Sequence, residues 1–271
     1  MFTPVLPYTG YAGWAFLERT YEAQRETFDK SPLITRDTEY FEANIGNVDT
    51  PEDLVSDRRL LRVALGAFGL GDDINNRYFI QKVLEEGTLE EDALALRISD
   101  ERYREFAEAF GFDRGTPSTK ISTFGAEIAE QFRRQEFEIA VGDQDETMRF
   151  ALNAQRALGE IAGSESGTDT KWFRIMGNPP LREVFQTAFG LPASFGQIDL
   201  DQQLEVFKDR SEQILGTDDP ADFGDTELQE KLVRSYMLRD QLQDITVASS
   251  GLIAQTLLAG AVSFLDSLRE R

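Results

Sequence analysis

Histidine and cysteine are both absent from the 271 residues. Their absence removes most zinc sites, the Cys–His and Ser–His nucleophile systems, and disulfides. Catalysis by carboxylates, Lys or Tyr, with or without Mg²⁺, stays open in principle, yet no spacing of acids singles out a pair. Positive charge is scarce too: 28 Lys and Arg stand against 49 Asp and Glu, a net charge of -21. Such a surface repels phosphate backbones and anionic lipid, which argues against nucleic acid and against a membrane as partners. The basic groups that do cluster, Arg58, Arg59 and Arg62 or Arg133 and Arg134, are interleaved with acids at helical spacing, the pattern of solvated helix faces. Residues 1–17 hold no Lys or Arg, so the basic stretch that opens a secretory signal is missing. The expected location is the cytoplasm, or outside it by an export route that needs no Sec signal. Sustained two-residue alternation is also lacking, so any strands are short.

What the chain does contain is a hydrophobic fraction of 41%, enough for one large or two modest domains. Ile121, Phe124, Ile128, Phe132 and Ile139 fall on one face of a helix, as do Leu228, Leu232, Tyr236 and Leu242. Met148, Leu152, Gln155 and Leu158 repeat the pattern more weakly. Three runs end alike: Ala67-Phe68-Gly69-Leu70, Ala109-Phe110-Gly111-Phe112 and Ala188-Phe189-Gly190-Leu191. A glycine just past a helix takes up the left-handed conformation, and the apolar residue after it folds back on the last turn. The pairs this predicts are Leu70 with Ala64, Phe112 with Phe106, and Leu191 with Phe185. The same three runs start near Ser56 or Asp57, Ser99 or Asp100, and Asn178 before Pro179-Pro180. Asp37-Thr-Glu-Tyr-Phe41 precedes the first ending and Asp169-Thr-Lys-Trp-Phe173 the third, which suggests a duplicated helical unit.

The expected fold is all-α: an irregular multi-helix array with two related helical subdomains and a long C-terminal helix. The expected parts are an N-terminal arm and first helix at 1–36, subdomains at 37–163 and 164–243, and the C-terminal helix at 244–271. Gly163 to Thr168 reads as the linker. Acid-rich loops at 71–76, 143–146 and 218–225 lack the spacing of a calcium loop and read as helix caps. No metal, cofactor or catalytic residue is expected.

Both ends are low in charge. Pro4, Pro7 and Gly10 exclude an early helix, leaving an extended arm, either a strap on the core or an assembly segment. Tyr8, Tyr11, Trp14 and Phe16 in or next to it are candidate partner anchors. From Ile245 to Leu265 there is no charged residue. That length would span a bilayer, but five hydroxyl residues, Gln255 and two glycines dilute it. A helix buried in the domain, or paired with another subunit, is the better reading, with Leu252 and Leu257 as candidate contacts.

Tyr11-Ala-Gly-Trp14, Asp37 to Phe41, Leu54 to Leu70 and Asp73 to Asn76 resemble a proteobacterial family of unknown function, domain-of-unknown-function family 1217. The resemblance continues through Arg133 to Gly142 and Asn153 to Glu160. Members of that family tend to be encoded among flagellar genes, which implies a role in flagellum assembly or structure and brings no catalytic residues. The expectation is a non-enzymatic, flagellum-associated structural or assembly protein acting through protein–protein contacts, including self-association through the C-terminal helix. The alternative is a cytosolic regulator or chaperone that binds a partner in a helical groove.

Overall fold

The computed structural model describes residues 2–242. Among them every regular element is a helix: α1 (Gly10–Asp29), α2 (Pro32–Asn44), α3 (Pro51–Ser56), α4 (Arg58–Ala67), α5 (Arg77–Glu86), α6 (Leu94–Arg97), α7 (Glu101–Phe110), α8 (Phe124–Gly142), α9 (Glu146–Ala162), α10 (Thr168–Gly177), α11 (Pro179–Phe189) and α12 (Leu200–Leu215). A last helix, α13, runs over 226–242, and short 3₁₀ turns fill several connections. The chain is all-α.

The helix ends have local causes. Asp57 starts α4 by accepting from the N–H groups of Arg59 and Leu60, Asp100 starts α7 through Arg102 N–H, and Asn178 starts α11 through Leu181 N–H. At the far ends Gly69, Gly111 and Gly190 have φ of 68°, 58° and 66°. Leu70 N–H donates to the Leu65 carbonyl at 2.9 Å and Leu191 N–H to that of Gln186 at 2.9 Å, closing two helices in the same six-residue way. The α7 ending is different. Gly111 N–H donates to the Ala107 carbonyl at 2.9 Å, the simpler left-handed stop. Phe112 then stacks on Phe110, with centroids 5.9 Å apart, rather than on the expected Phe106, because Phe106 is engaged with Phe68 and Phe110.

Helices α8 and α9 form an antiparallel hairpin turned in three residues, with Asp145 capping α9 through Met148 N–H. Helices α1, α2 and α4 pack on α8; α10, α11 and the turn Pro220–Gly224 pack on α9. Thus α9 serves both sides of the expected 163/164 boundary, Gly163–Gly167 is a turn, and the buried apolar side chains form one continuous cluster. Two aromatic centres lie within that cluster. One surrounds Phe68, Phe106, Phe110 and Phe124; the other surrounds Trp172, Phe185, Phe207 and Phe223.

The apolar face expected on α8 is only partly the buried one. Phe124, Ile128 and Phe132 are buried, whereas Ile121 precedes the helix, 58% exposed, and Ile139 is exposed as well. In their place Phe137 and Val141 turn inward, because α1 covers a second side of α8 and sets Tyr21 and Phe28 edge-on against Phe137 at 5.4 and 5.5 Å. On α13, Leu232 and Tyr236 are buried, Leu228 packs against the core and Leu242 is exposed.

Candidate functional site

Residues 2–9 adopt no helix, as the prolines require, and part of the arm is strapped down. The side-chain amide of Gln24 accepts from Val5 N–H at 2.6 Å and donates to the Val5 carbonyl at 3.2 Å, and Gln144 donates to the Pro4 carbonyl at 2.8 Å. The strap crosses α1 so closely that a β-carbon at Gly13 would lie 2.1 Å from the Tyr8 carbonyl oxygen. The four aromatic anchor candidates therefore part company. Trp14 is 2% exposed and belongs to the core, Phe16 is half-buried beside Arg19, and Tyr8, 61% exposed, and Tyr11 stay at the surface. Leu252 and Leu257 lie outside the described residues.

Next to Gly10 and Tyr11 lies the last part of α13. The Arg234 guanidinium stands over the Tyr11 ring at 5.4 Å, and a β-carbon at Gly10 would meet the Gln241 side chain. Leu238 shares their helical stripe, since 234, 238 and 241 lie on one side of α13, and it is 45% exposed. Val5 and Leu242 are exposed as well. On its other sides α13 is anchored by Thr147, which donates to Asp240 at 2.9 Å, and by Arg239 packed at Gly190. The uncharged start of the chain and the residues just before its uncharged C-terminal run thus share one surface. We call it the end face.

A second feature escaped the sequence reading. Glu138 of α8, almost fully buried, accepts from Arg156 Nε of α9 at 2.9 Å. Gln135, with its amide set for hydrogen bonding, accepts from Arg156 Nη2 at 2.6 Å and donates to Glu138 at 3.3 Å. Burial disfavours the Arg156 charge, and the Glu138 carboxylate more than offsets that, so the guanidinium is held firmly protonated. Around it Arg102 donates to the Gly69 carbonyl at 2.6 Å and to Asp100, and Arg174 donates to Glu105 at 3.2 Å. Arg102, Glu105, Gln135, Arg156 and Arg174 wall a cavity of about 60 Å³ in which Asn153 Oδ1 and Arg174 Nε have no protein partner. That volume and those two groups suit a few ordered waters.

Arg102, Gln135 and Asn153 are shared with an outer cleft of about 630 Å³ that reaches Arg149, Phe150 and Pro179. A groove of about 540 Å³ runs on another side, between α1 and α9, over Tyr21, Leu152 and Gly159. The inner cavity is lined by guanidinium, carboxylate and amide groups drawn from α7, α8, α9 and α10, whose hydrogen bonds tie these helices together. Among the described residues no group of three or more acids is placed to hold a metal ion, and no helix is long and apolar enough to cross a membrane. Asp145, Asp219 and Asp225 of the acid-rich loops each accept a backbone N–H at a helix start. Asp73 of the first loop accepts from the Tyr103 hydroxyl and from Asn76.

A family model described as protein of unknown function (DUF1217) matches residues 67–227. The chain belongs to that family. The DUF1217 span contains every wall residue of the cavity and of the outer cleft; the arm and nearly all of α13 fall outside it. Among solved structures, the crystal structure of protein AGR_C_984 from Agrobacterium tumefaciens is similar over 89% of this chain and 99% of that one, with 26% identity and a TM-score of 0.72. No curated protein matches the chain.

The strings that carry the resemblance have physical partners. Asp37, buried on α2, is 2.8 Å from Arg62 and 3.8 Å from Arg59, while Tyr40 donates to Asp57 at 2.7 Å under the Arg59 guanidinium. Asp37 to Phe41 and Leu54 to Leu70 are therefore locked to each other, and Arg59 and Arg62 hold a buried carboxylate rather than dressing a solvated face. Arg133 to Gly142 and Asn153 to Glu160 face each other across the Glu138–Arg156 pair in the same way.

Proposed function

We propose that this DUF1217 protein is a non-enzymatic, flagellum-associated structural or assembly factor that works through protein–protein contacts. The observation that carries the reading is the end face, where Tyr8 and Tyr11 stand exposed in a stretch, 2–17, that has no charged residue in a chain of net charge -21, with Leu238 exposed on α13. Exposed aromatic and aliphatic side chains are common anchors of protein interfaces. The flagellar context comes from the family resemblance. The buried polar cluster supports the role indirectly, because it fixes the α8–α9 hairpin on which α1 and α11 rest.

The test uses purified hook–basal-body preparations from the source cell. The full chain is expected to co-sediment with them, and Leu238→Asp is expected to release it at least about tenfold, as truncating an interface anchor does. No co-sedimentation, together with normal flagella in a deletion strain, rejects the proposal. The regulator or chaperone alternative draws on the groove of about 540 Å³ over Tyr21, Leu152 and Gly159. Leu152→Lys, and not Leu238→Asp, would then abolish binding.

A further inference from the structure

We propose that the groove between α1 and α9 docks a basic amphipathic helix of another protein, with an apolar side chain set over Tyr21 and Gly159 and with Lys or Arg one turn apart against Glu18 and Glu22; this rests on that groove being open to a partner, not on the end face.

The shape of the groove leaves room that this chain does not use. Its volume of about 540 Å³ lies within the roughly 300–1,000 Å³ of pockets that take up ligands, and Tyr21, Leu152 and Gly159 line it. Gly159 is exposed and lies inside α9, where glycine weakens a helix relative to alanine. Nothing in the packing of the chain calls for it, since a β-carbon there would have no neighbour within 4 Å. The other glycines within the described α-helices are Gly10, Gly13, Gly66, Gly125, Gly142 and Gly177. Each of them would bring a β-carbon to 3.1 Å or less from another residue. Those six are required from inside the molecule, whereas Gly159 keeps the α9 backbone open to close approach from outside. A third helix laid along two others is the occupant such a groove accepts.

Charge selects which helix. The guanidiniums that line the groove are already matched by carboxylates of this chain. Arg25 pairs with Glu130 and, at 3.7 Å, with Asp29; Arg134 pairs with Glu130 at 3.3 Å; Arg156 pairs with Glu138 at 2.9 Å and Glu160 at 3.6 Å. The acids on the α1 rim are not matched. Glu18 accepts only from the neutral Gln155 amide, at 3.3 Å, and Glu22 has no hydrogen bond or ion pair among the described residues. Both are exposed and stand one turn apart on the same side of α1. An acidic helix would be repelled by the pair, and an uncharged one would desolvate two carboxylates without replacing their water. A helix with basic residues at the same four-residue spacing meets both, and the net charge of -21 draws it in from a distance.

The probe is a synthetic amphipathic peptide of Leu and Lys, about 18 residues long, titrated calorimetrically into the full chain; a Leu and Glu peptide of the same pattern is the control. The Lys peptide is expected to bind and the Glu peptide not. Gly159→Leu alters no charge and fills the groove. It is expected to weaken the Lys peptide at least about tenfold while raising the thermal midpoint by about 2 °C, because leucine is the better helix former. Glu18→Gln with Glu22→Gln is expected to weaken it at least about tenfold as well. Glu90→Gln with Glu91→Gln removes the same charge outside the groove and is expected to change affinity less than about twofold. Leu238→Asp on the end face is expected to leave it unchanged. Full affinity in Gly159→Leu overturns the proposal, and so does equal binding of the Glu peptide. An equal loss from the Glu90 and Glu91 pair overturns it too, by reducing the binding to attraction to the acidic surface at large. A loss in Leu238→Asp would move the peptide to the end face, with the same result. The hook–basal-body assay uses no peptide, so the end-face reading and this one can fail separately.

Discussion

Glu138 is 3% exposed, and the guanidinium of Arg156 is its one charged partner among the hydrogen bonds and ion pairs of the described residues. A buried pair of this kind adds little over an apolar pair of equal shape, but removing one member strands the other's charge. Arg156→Met is expected to cost about 3–5 kcal/mol in denaturant unfolding, and adding Glu138→Leu to recover a large part of it. Glu136 is one residue away and behaves differently. Burial raises its carboxyl above the usual value, Arg62 opposes the rise and Asp37 adds to it. Folding therefore favours the protonated form more than the unfolded chain does, so ionisation costs stability in full above the raised value and nothing below the ordinary carboxyl value of 4.5. Glu136→Gln is expected to raise the unfolding midpoint at pH 7, with the gain shrinking to nothing as pH falls below about 4. A gain that persists at low pH would assign it to something other than that proton.

Helix ends show how local rules and tertiary contacts divide the work at the scale of elements. Gly69 has φ of 68°, and a β-carbon there would sit at ordinary contact distances, 3.4 Å from the Arg102 side chain and 3.7 Å from that of Gln135, so Gly69→Ala meets the left-handed penalty alone. The expected loss is about 1 kcal/mol. At Gly190 the same change also pushes a methyl to 2.2 Å from Arg239 of α13, whose side chain must move away. Gly190→Ala is therefore expected to cost more than Gly69→Ala in the same unfolding assay. Gly69 and Gly190 sit in the same sequence pattern, so an equal loss at both would mean that the Arg239 contact contributes nothing. The strap has its own test. Gln24→Ala removes both hydrogen bonds to Val5, and cleavage within residues 2–9 by a broad-specificity protease is expected to speed up while the helical signal is unchanged.

At the scale of the whole molecule, a net charge of -21 on a compact fold means self-repulsion that salt screens. The thermal midpoint is expected to rise by several degrees between about 20 and about 500 mM NaCl. A midpoint that does not move would place the charges too far apart to matter. Much of this fold was legible in the sequence. The all-helical class, the three glycine stops and the caps at Asp57, Asp100 and Asn178 all depend on residues within six positions of one another. The candidate site was legible in part. Tyr8 and Tyr11 were picked out by composition, but nothing near Trp14 in the chain distinguishes a core indole from a surface one. The Arg59 and Arg62 guanidiniums looked like solvated charge because Asp37, which they hold, lies more than 20 positions away.

By itself, then, the sequence determined what short stretches of chain can settle: where helices begin and stop, that no early helix forms before Gly10, and that residues 2–17 and 245–265 carry no charge. Only the tertiary structure decided which distant groups meet. It set Glu138 against Arg156, turned Phe137 rather than Ile139 inward, buried Trp14 and left Tyr8 out, and brought the uncharged arm beside α13. The reason is physical. A cap or a stop is decided by hydrogen bonds within a turn or two, whereas a pairing across a hundred residues depends on how many amphipathic faces can be buried at once.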